Sequence, residues 1–441
     1  MSESAIGSLR SRLARNMSWT FASQIFISLA AIVTLFIAAR ALGPAGLGIV
    51  ALAETFVRLV DLIFRLEPWQ AVIRFAIRAQ NKNDHGAMQR LFKLSLMIDA
   101  FGSLLTGTIC VLFAGIVAPR IGLPSENGAN YIYLVAAGLF VTFRPTTVAM
   151  LRVFDRFDVL AKLDIASATI RMILSLIAWL SGLDVWAFLA ILLIQSIFDG
   201  VFGLPFAMRV MRNRGYGGFL NANGLAAIRE NPGFLRLVWN SNVNVILRQS
   251  VNRFDVLILG AMTNPTAVGM YQLGKRVMNR VTKLSAPVRQ TIYPEMSRLW
   301  EQGRIAAFNR LIVIVSASLL SLQLVFAIPV MLNIEPIIHI IFGPEFAGAG
   351  PVMNILLASS IVIASGVALN PALLSMGKDR LLVLVTLGAT AIFAVSFLPL
   401  VKLFGVEGAA YANLLFNVSW TIGCAFGLRG IRARRTRTGD D

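Results

Sequence analysis

The sequence predicts an all-α polytopic membrane protein, with about 12 transmembrane helices arranged as two pseudo-symmetric six-helix bundles. Composition, the length of the apolar runs and an internal repeat support this prediction. Hydrophobic residues make up 57% of the 441 residues and charged residues 14%, against about 25% in ordinary soluble domains. The formal net charge is +18, yet the chain has too few charged residues for a basic nucleic-acid-binding domain. It also has too many apolar residues for a disordered chain. The composition therefore excludes a nucleic-acid partner and a disordered chain.

Twelve apolar runs are long enough to cross a bilayer, which requires about 20 residues. The first run follows three arginines, as in a signal peptide, but it is too long for one and leads directly into another span, so we expect it to be retained. The ninth run is overlong, and we expect Pro329 and Pro336 to break it. The predicted spans are 17–39, 46–66, 92–118, 131–151, 163–182, 185–207, 239–262, 267–288, 311–342, 351–375, 381–403 and 406–428.

The basic residues predict the orientation of these spans. With both termini in the cytoplasm, the inward loops and tails hold 26 lysines and arginines and the outward loops hold three. This asymmetry is the one that the positive-inside rule describes. We therefore expect a multi-pass protein with cytoplasmic termini, whose basic loops and tail contact anionic membrane lipids.

Short motifs recur about half a chain apart. Gly43–Gly48 follows the first span, and the similar Asn264–Gly269 follows the seventh, 221 residues later. Further matches at offsets of 223 and 224 occur in the same order. Six spans per half make the repeats parallel, which is a transporter architecture. The predicted domains are a bundle at 1–207, a basic cytoplasmic linker at 208–238, a bundle at 239–428 and a basic tail at 429–441.

Eleven lysines and arginines lie within or at the edges of the predicted spans. Each costs about 2.5–3.5 kcal/mol at mid-span unless it is paired or hydrated. The eighth span carries several of them, and no acid lies between Asp255 and Glu295 to neutralise them. We therefore expect a cationic cavity for an anionic substrate. The predicted binding residues are Arg58, Arg144, Arg248, Arg276, Arg280, Lys275 and Lys283.

Acids at membrane depth suggest energy coupling by Na⁺, by protons or by the membrane potential. In the second span, however, Glu54 and Asp61 lie four residues before Arg58 and Arg65, so they could equally form two neutralising pairs. Asp164 could likewise pair with Arg171. The residues predicted for ion coupling are Glu54, Asp61, Asp99 and Asp255.

Residue types that carry enzyme chemistry are scarce. The chain has two cysteines and two widely separated histidines, which argues against a disulfide scaffold or a metal site. It also lacks a glycine-rich phosphate-binding loop. We therefore expect no catalytic residue, no metal and no cofactor.

Four segments resemble loop motifs of the polysaccharide-exporter and O-antigen flippase family, in the multidrug/oligosaccharidyl-lipid/polysaccharide flippase superfamily. These segments are Leu42–Gly48, Val268–Tyr271, Tyr293–Leu299 and Ile341–Ala349. The resemblance implies a V-shaped pair of bundles in the bacterial inner membrane, like that of the related MATE drug exporters. It also implies a non-enzymatic flippase that moves polyprenyl-diphosphate-linked oligosaccharide by alternating access. The pathway would be assembly of O-antigen lipopolysaccharide or exopolysaccharide, with a polysaccharide polymerase and other assembly proteins as partners.

Two other functions are weighed against this one. A MATE-like exporter of cationic drugs would require a cavity rich in acids and aromatic residues, whereas bases outnumber acids in the predicted spans. A membrane polysaccharide polymerase or ligase would require a sizeable outward domain, but the longest predicted outer loop is about 119–130.

Overall fold

A computed structural model describes residues 3–283 and 286–428, and within these ranges every regular element is helical. Side chains are described from Ser18 onward, except at 244, 247, 248, 250–252 and 283–291. The predicted basic tail at 429–441 lies outside the described residues. The all-helical fold class is thus confirmed for the described ranges.

The helices are numbered along the chain. Those of the first half and the linker are α1 (Glu3–Phe64), α2 (Trp69–Asn81), α3 (His85–Arg120), α4 (Gly128–Ala136), α5 (Arg144–Val153), α6 (Phe157–Leu180), α7 (Val185–Ile197), α8 (Gly203–Asn213) and α9 (Ala226–Glu230). Those that follow are α10 (Phe234–Met262), α11 (Pro265–Lys283), α12 (Ala286–Glu301), α13 (Ile305–Leu332), α14 (Ile334–Ile341), α15 (Gly350–Ser365), α16 (Leu369–Ser375) and α17 (Asp379–Leu428).

Among the described residues, eight helical segments are long and apolar enough to cross a membrane. Two of them, Ser18–Phe64 in α1 and Asp379–Leu428 in α17, have 47 and 50 residues. Such lengths correspond to about 70–75 Å, more than twice the hydrocarbon core. Each bends at a glycine with a left-handed backbone, Gly43 (φ +61°) and Gly405 (φ +58°), and so contains two predicted spans.

Ten of the predicted spans fall on these eight segments. The seventh and eighth predicted spans fall on α10 and α11, which are helical but less apolar because of their charged and amide side chains. The ninth run is interrupted as predicted, since α13 ends at Leu332, three residues after Pro329, and α14 contains Pro336.

The fourth helix of each half is broken at an equivalent place. In the first half, α4 continues into a 3₁₀ turn at Ala137–Val141, Thr142 is extended, and α5 starts at Arg144 with Pro145 in its first turn. In the second half, α15 ends at Ser365 and α16 begins at Leu369, which places the break 224–225 residues further along the chain. This shared irregularity supports the predicted repeat at the level of backbone conformation.

Contacts divide the chain into two compact units, Met1–Leu42 with Ile49–Leu257, and Gly43–Gly48 with Ile258–Asp441. The first has a core of aromatic and aliphatic side chains that includes Phe92 and Phe234. The second has a core that includes Met296 and Phe308. The predicted domain boundaries around residues 207 and 239 stay predictions.

The two copies of the repeated glycine motif contact each other within the second unit. Gly48 packs against the carbonyl group of Pro265, and Gly269 packs against the carbonyl group of Pro44. In both copies the glycine lies four residues after the proline, so the contact is reciprocal. A Cβ atom at either glycine would overlap the opposing carbonyl oxygen, which explains why both positions carry glycine.

A third loop motif packs on the same crossing. The carboxylate of Glu345 contacts Gly43, whose φ of +61° suits glycine, and Gly348 lies beside the Met270 side chain. Glu345 and Gly348 both belong to the predicted loop motif Ile341–Ala349. Three of the motifs that carry the family resemblance are therefore brought together by one packing arrangement.

We predict that Gly48→Ala lowers the stability of the protein, because the added methyl group meets backbone that cannot rotate away. Overpacking of this kind costs about 1–3 kcal/mol. Gly388→Ala is the matched control, since no heavy atom lies within 4 Å of a Cβ placed there. We expect the control to be neutral or to gain up to about 1 kcal/mol of helix propensity. Thermal unfolding in detergent measures the stability of both variants. Equal unfolding temperatures for Gly48→Ala and Gly388→Ala would contradict the close contact between Gly48 and Pro265.

Candidate functional site

A charged cavity of about 450 Å³ lies inside the first unit. Its walls come from α1, the segment that joins α1 to α2, the start of α2, the end of α4 with the break that follows it, α5, α7 and the turn that follows α7. Four arginines and four acids line it: Arg58, Arg65, Arg144, Arg152, Glu54, Asp61, Glu67 and Asp199. Six of these eight residues lie within predicted spans, where charge is costly, and Glu67 and Arg152 lie one residue beyond the ends of two spans.

The charges on α1 form a ladder along one face. Arg58 Nε donates to Glu54 Oε1 at 2.8 Å, and Arg65 Nε lies 3.1 Å from Asp61 Oδ1. A spacing of four residues brings each pair together after one helical turn. The interpretation of these residues as neutralising pairs is therefore confirmed. Only 3% of the Arg65 side chain is exposed, against 52% for Arg58.

Arg65 also stabilises the break between α4 and α5. Its Nη2 donates to Ser103 Oγ at 3.1 Å and to the Leu139 carbonyl oxygen at 3.3 Å. Ser103 Oγ in turn donates to the Thr142 carbonyl oxygen at 2.9 Å. Irregular backbone within a membrane must have its polar groups satisfied by other protein groups, and these bonds meet that requirement.

Arg144 begins α5 and lies between two carboxylates. Its Nη2 donates to Asp164 Oδ1 at 2.6 Å, and its Nη1 donates to Asp199 Oδ1 at 3.2 Å. Asp199 belongs to a π-helical turn at Phe198–Phe202, and the Phe143 N–H donates to the Gly200 carbonyl oxygen of that turn. The broken helix and the π turn thus place Arg144 and Asp199 together, as irregular helices commonly do at functional sites.

The suggested pairing of Asp164 with Arg171 requires correction. Asp164 binds Arg144, and Arg171 donates to Gln195 Oε1 at 3.0 Å. Arg144 lies closer to Asp164 because the start of α5 turns into the cavity at Pro145, which lines it.

Asp99 is fully buried and does not line the cavity. Its Oδ2 accepts a hydrogen bond from the Thr146 N–H at 2.8 Å, one of the amide groups that the first turn of a helix leaves without an internal partner. Beside it, the hydroxyl groups of Ser95 and Thr146 are 2.7 Å apart. Asp99 therefore holds the start of α5, and its predicted role in ion coupling stays a prediction.

The remaining predicted site residues lie on α10 and α11. Lys275 is 3% exposed and lies 5.6 Å from the centre of the Tyr271 ring, while Arg276 and Arg280 are partly exposed, one turn apart. Asp255 is 1% exposed and accepts the Val256 N–H. The side chains of Arg248 and Lys283 are outside the described set.

The cavity of the first unit is charge-balanced. The expected cationic cavity draws on residues of both halves, and it stays a prediction. Arg152, Glu67 and Asp199 are the lining residues that the sequence analysis did not single out. The first two lie just beyond the predicted spans, where they were treated as loop residues. The spacing of Arg144 and Arg152, eight residues on one helix, is the signal that could have revealed Arg152. Among the described residues, no group of three or more His, Cys, Asp or Glu side chains could hold a metal ion.

Beside the helix break of the second unit lies a network of amide and hydroxyl groups. Ser359 Oγ on α15 donates to Asn413 Oδ1 on α17 at 3.0 Å, and Asn417 Nδ2 donates to Ser359 Oγ at 2.8 Å. Gln323 Nε2 on α13 donates to Ser360 Oγ at 2.8 Å. The two repeats therefore share a broken fourth helix and differ in the chemistry beside it.

We predict that Arg65→Ala destabilises the protein, because it leaves Asp61 without its ion pair and frees the carbonyl groups of the helix break. Breaking a buried pair costs about 3–5 kcal/mol, and the partial exposure of Asp61 favours the lower end. Arg156→Ala is the control, since Arg156 pairs with Asp158 outside the cavity and such pairs contribute about 0–1 kcal/mol. Thermal unfolding in detergent should separate the two variants. A similar loss in both would show that Arg65 is not a structural arginine.

Comparisons with known proteins identify the family. Residues 13–300 match the family described as polysaccharide biosynthesis protein. Inner membrane protein YghQ of Escherichia coli K12 is 21% identical over 349 residues, which cover 76% of this chain and 94% of YghQ. Probable flippase AglR of Haloferax volcanii is 26% identical over 247 residues, which cover 54% of this chain and 47% of AglR.

A solved structure shares the fold. The inward-facing structure of a multidrug resistance MATE family transporter of the MOP superfamily has a TM-score of 0.73, covering 94% of this chain and 96% of that one. At 12% identity this likeness concerns the fold alone. Since the family match spans more than half of the sequence and agrees with the loop motifs, the protein belongs to the polysaccharide biosynthesis protein family.

Proposed function

We propose that the protein is a flippase that moves polyprenyl-diphosphate-linked oligosaccharide across the bacterial inner membrane. The observation that carries this proposal is the cavity at membrane depth, lined by four arginines, in a member of a polysaccharide biosynthesis family. The relatives agree with it, because AglR is named a probable flippase and YghQ an inner membrane protein.

The mixed charge of the cavity suits such a substrate. A diphosphate that leaves water needs donors to replace its hydration, and arginine can donate two parallel hydrogen bonds to a phosphate group. The sugar part is rich in hydroxyl groups, which donate well to carboxylates such as Glu54 and Asp61. The polyprenyl chain needs no polar partner and would stay in the lipid.

Substrate binding would proceed by exchange of partners. Arg58 is half-exposed to the cavity while paired with Glu54, and Arg144 is held by Asp164 and Asp199. Phosphate oxygens would take the place of these carboxylates as acceptors. Because the arginines are already oriented by their carboxylates, little side-chain entropy would be lost when the substrate binds.

Transport would follow alternating access, by rocking of residues 1–207 against 239–428. Arg248, Arg276 and Arg280 would supply the contacts from the second half. The carboxylates released during the exchange of partners would be free to bind a proton or Na⁺, which couples the movement to an ion gradient or to the membrane potential. Both termini would face the cytoplasm, and a polysaccharide polymerase would take the glycan on the far side.

The other two candidate functions account less well for the cavity. A site for cationic drugs would leave its acids available, whereas Glu54, Asp61 and Asp199 are engaged by arginines. The MATE likeness concerns only the fold, so it does not favour drug export. A polymerase or ligase would need an outward catalytic domain, but only seven residues, 121–127, join α3 to α4.

We predict that a strain lacking the protein accumulates polyprenyl-diphosphate-linked glycan in the cytoplasmic leaflet. The wild-type gene should reverse the accumulation, and Arg280→Ala should not, because it removes one of the predicted diphosphate contacts. Arg298→Ala is the control, since Arg298 is 72% exposed and pairs with Glu295 at 3.4 Å. Extraction of the glycolipids and a membrane-impermeant glycan probe give the amount and the leaflet.

The other outcomes separate the hypotheses. Glycan stranded in the outer leaflet would indicate a polymerase or ligase. New sensitivity to cationic drugs without accumulation would indicate a MATE-like exporter. Full rescue by a well-expressed Arg280→Ala variant would remove Arg280 from the site and leave the flippase proposal in place.

A further inference from the structure

One arginine of the cavity differs from the other three. Arg58, Arg65 and Arg144 each lie within 3.2 Å of a carboxylate oxygen. Arg152, by contrast, has its guanidinium carbon 4.7 Å from the centre of the Trp69 ring. Its Nε is buried and, like that of Arg65, has no hydrogen-bond acceptor among the described residues. Unlike Arg65, however, Arg152 forms no ion pair with a carboxylate among those residues.

The position of Arg152 suits a binding role. Arg144 and Arg152 lie eight residues apart on α5 and both line the cavity. Eight residues correspond to about 12 Å along the axis and leave the two positions about 80° apart around it, and both side chains reach the same cavity. The acid whose charge acts on Arg152 is Asp164, and its Oδ1 already accepts a hydrogen bond from Arg144 at 2.6 Å.

Stacking on Trp69 orients the guanidinium without neutralising it. The ring face attracts the cation and holds it in place, but it offers the N–H groups no lone pair to accept a hydrogen bond. A buried donor without an acceptor is unfavourable, and a phosphate group is the acceptor that an oriented guanidinium fits best. Arg152 is therefore prepared to receive an anion, whereas its three neighbours must first exchange a carboxylate.

We infer that Arg152, stacked on Trp69, is the anion anchor of the cavity and binds a phosphoryl group of the carried lipid. This inference rests on the proposed function for the identity of the ligand, but the anion site can be tested without transport. Arg152 binds one phosphoryl group of the diphosphate first. Arg144 then releases Asp199 and binds the second phosphoryl group.

The experiment is a calorimetric titration of the purified, detergent-solubilised protein with inorganic pyrophosphate, which measures the binding affinity. We expect Arg152→Ala to weaken binding at least tenfold. Arg152→Lys should be intermediate, because it keeps the charge and loses the planar donor pair, and Trp69→Phe should weaken binding less than Arg152→Ala. Arg156→Ala is the matched control, since Arg156 is bound by Asp158 at 2.9 and 3.0 Å and does not line the cavity.

Wild-type affinity in a folded Arg152→Ala variant would overturn the inference. If Arg152→Ala does not fold, Arg152→Lys and Trp69→Phe decide the question. Wild-type affinity for pyrophosphate in both of these variants would likewise overturn the inference. Competition then identifies the source of the phosphoryl group. We expect polyprenyl diphosphate to displace pyrophosphate at a lower concentration than phosphatidylglycerol does. The reverse order would assign Arg152 to an ordinary membrane lipid and overturn its role as substrate anchor.

Failure of this inference and failure of the proposed function give different results. If the purified protein binds pyrophosphate through Arg152 but the strain lacking the protein accumulates no lipid-linked glycan, the anion anchor stands and the flippase proposal is refuted. Glycan accumulation reversed by wild type and equally by Arg152→Ala would keep the flippase and refute the anchor.

Discussion

The need to neutralise arginines inside a membrane protein determines how the first unit is built. An unpaired arginine at mid-span costs about 2.5–3.5 kcal/mol, and Arg58, Arg65 and Arg144 each lie in that environment beside a carboxylate. The pairs on α1 need only the regular helix. Arg144 needs more, because its carboxylates come from two other helical segments, and the break before α5 and the π turn that carries Asp199 bring them together. The irregular backbone is thus a consequence of where the charge lies, and Arg65 and Asp99 satisfy the groups that it exposes.

The repeat separates constraints of folding from constraints of chemistry. Both halves keep the glycine that allows the repeated motifs to cross, Gly48 and Gly269, because neither side of the crossing has space for a Cβ atom. Both halves also keep a broken fourth helix. Beside that break, however, the first half has ion pairs and the second has a network of amide and hydroxyl groups around Ser359. A duplicated backbone has therefore been retained where packing requires it, and the two copies have diverged where side chains meet a cavity.

The sequence predicts the elements well and the partners of the charged residues less well. Apolar runs locate the spans because lipid demands about 20 apolar residues, and the spacing of Glu54 and Arg58 follows from helical periodicity. Pro145 marks the break because proline cannot continue a helix hydrogen-bonding pattern. Asp164 pairs with Arg144 rather than with Arg171, and this pairing depends on how each helix is rotated about its axis relative to its neighbours. In a membrane both the inward and the lipid-facing sides are apolar, so hydropathy does not fix that rotation. The same limit hid Asp199, whereas Arg152 was missed because it lies one residue beyond a predicted span.

The charge-balanced cavity of the first unit suits transport better than a purely cationic one would. Binding must be favourable enough for the substrate to enter and weak enough for it to leave. A diphosphate surrounded by unpaired arginines would be held strongly and released slowly. Where each arginine has its own carboxylate, the carboxylate competes with the substrate and recovers the arginine when the substrate leaves, so the net cost of release is small. One arginine without such a competitor is sufficient to capture the anion, and Arg152 is the lining arginine of the described cavity that meets this condition. Capture and release are thereby assigned to different arginines of the same cavity.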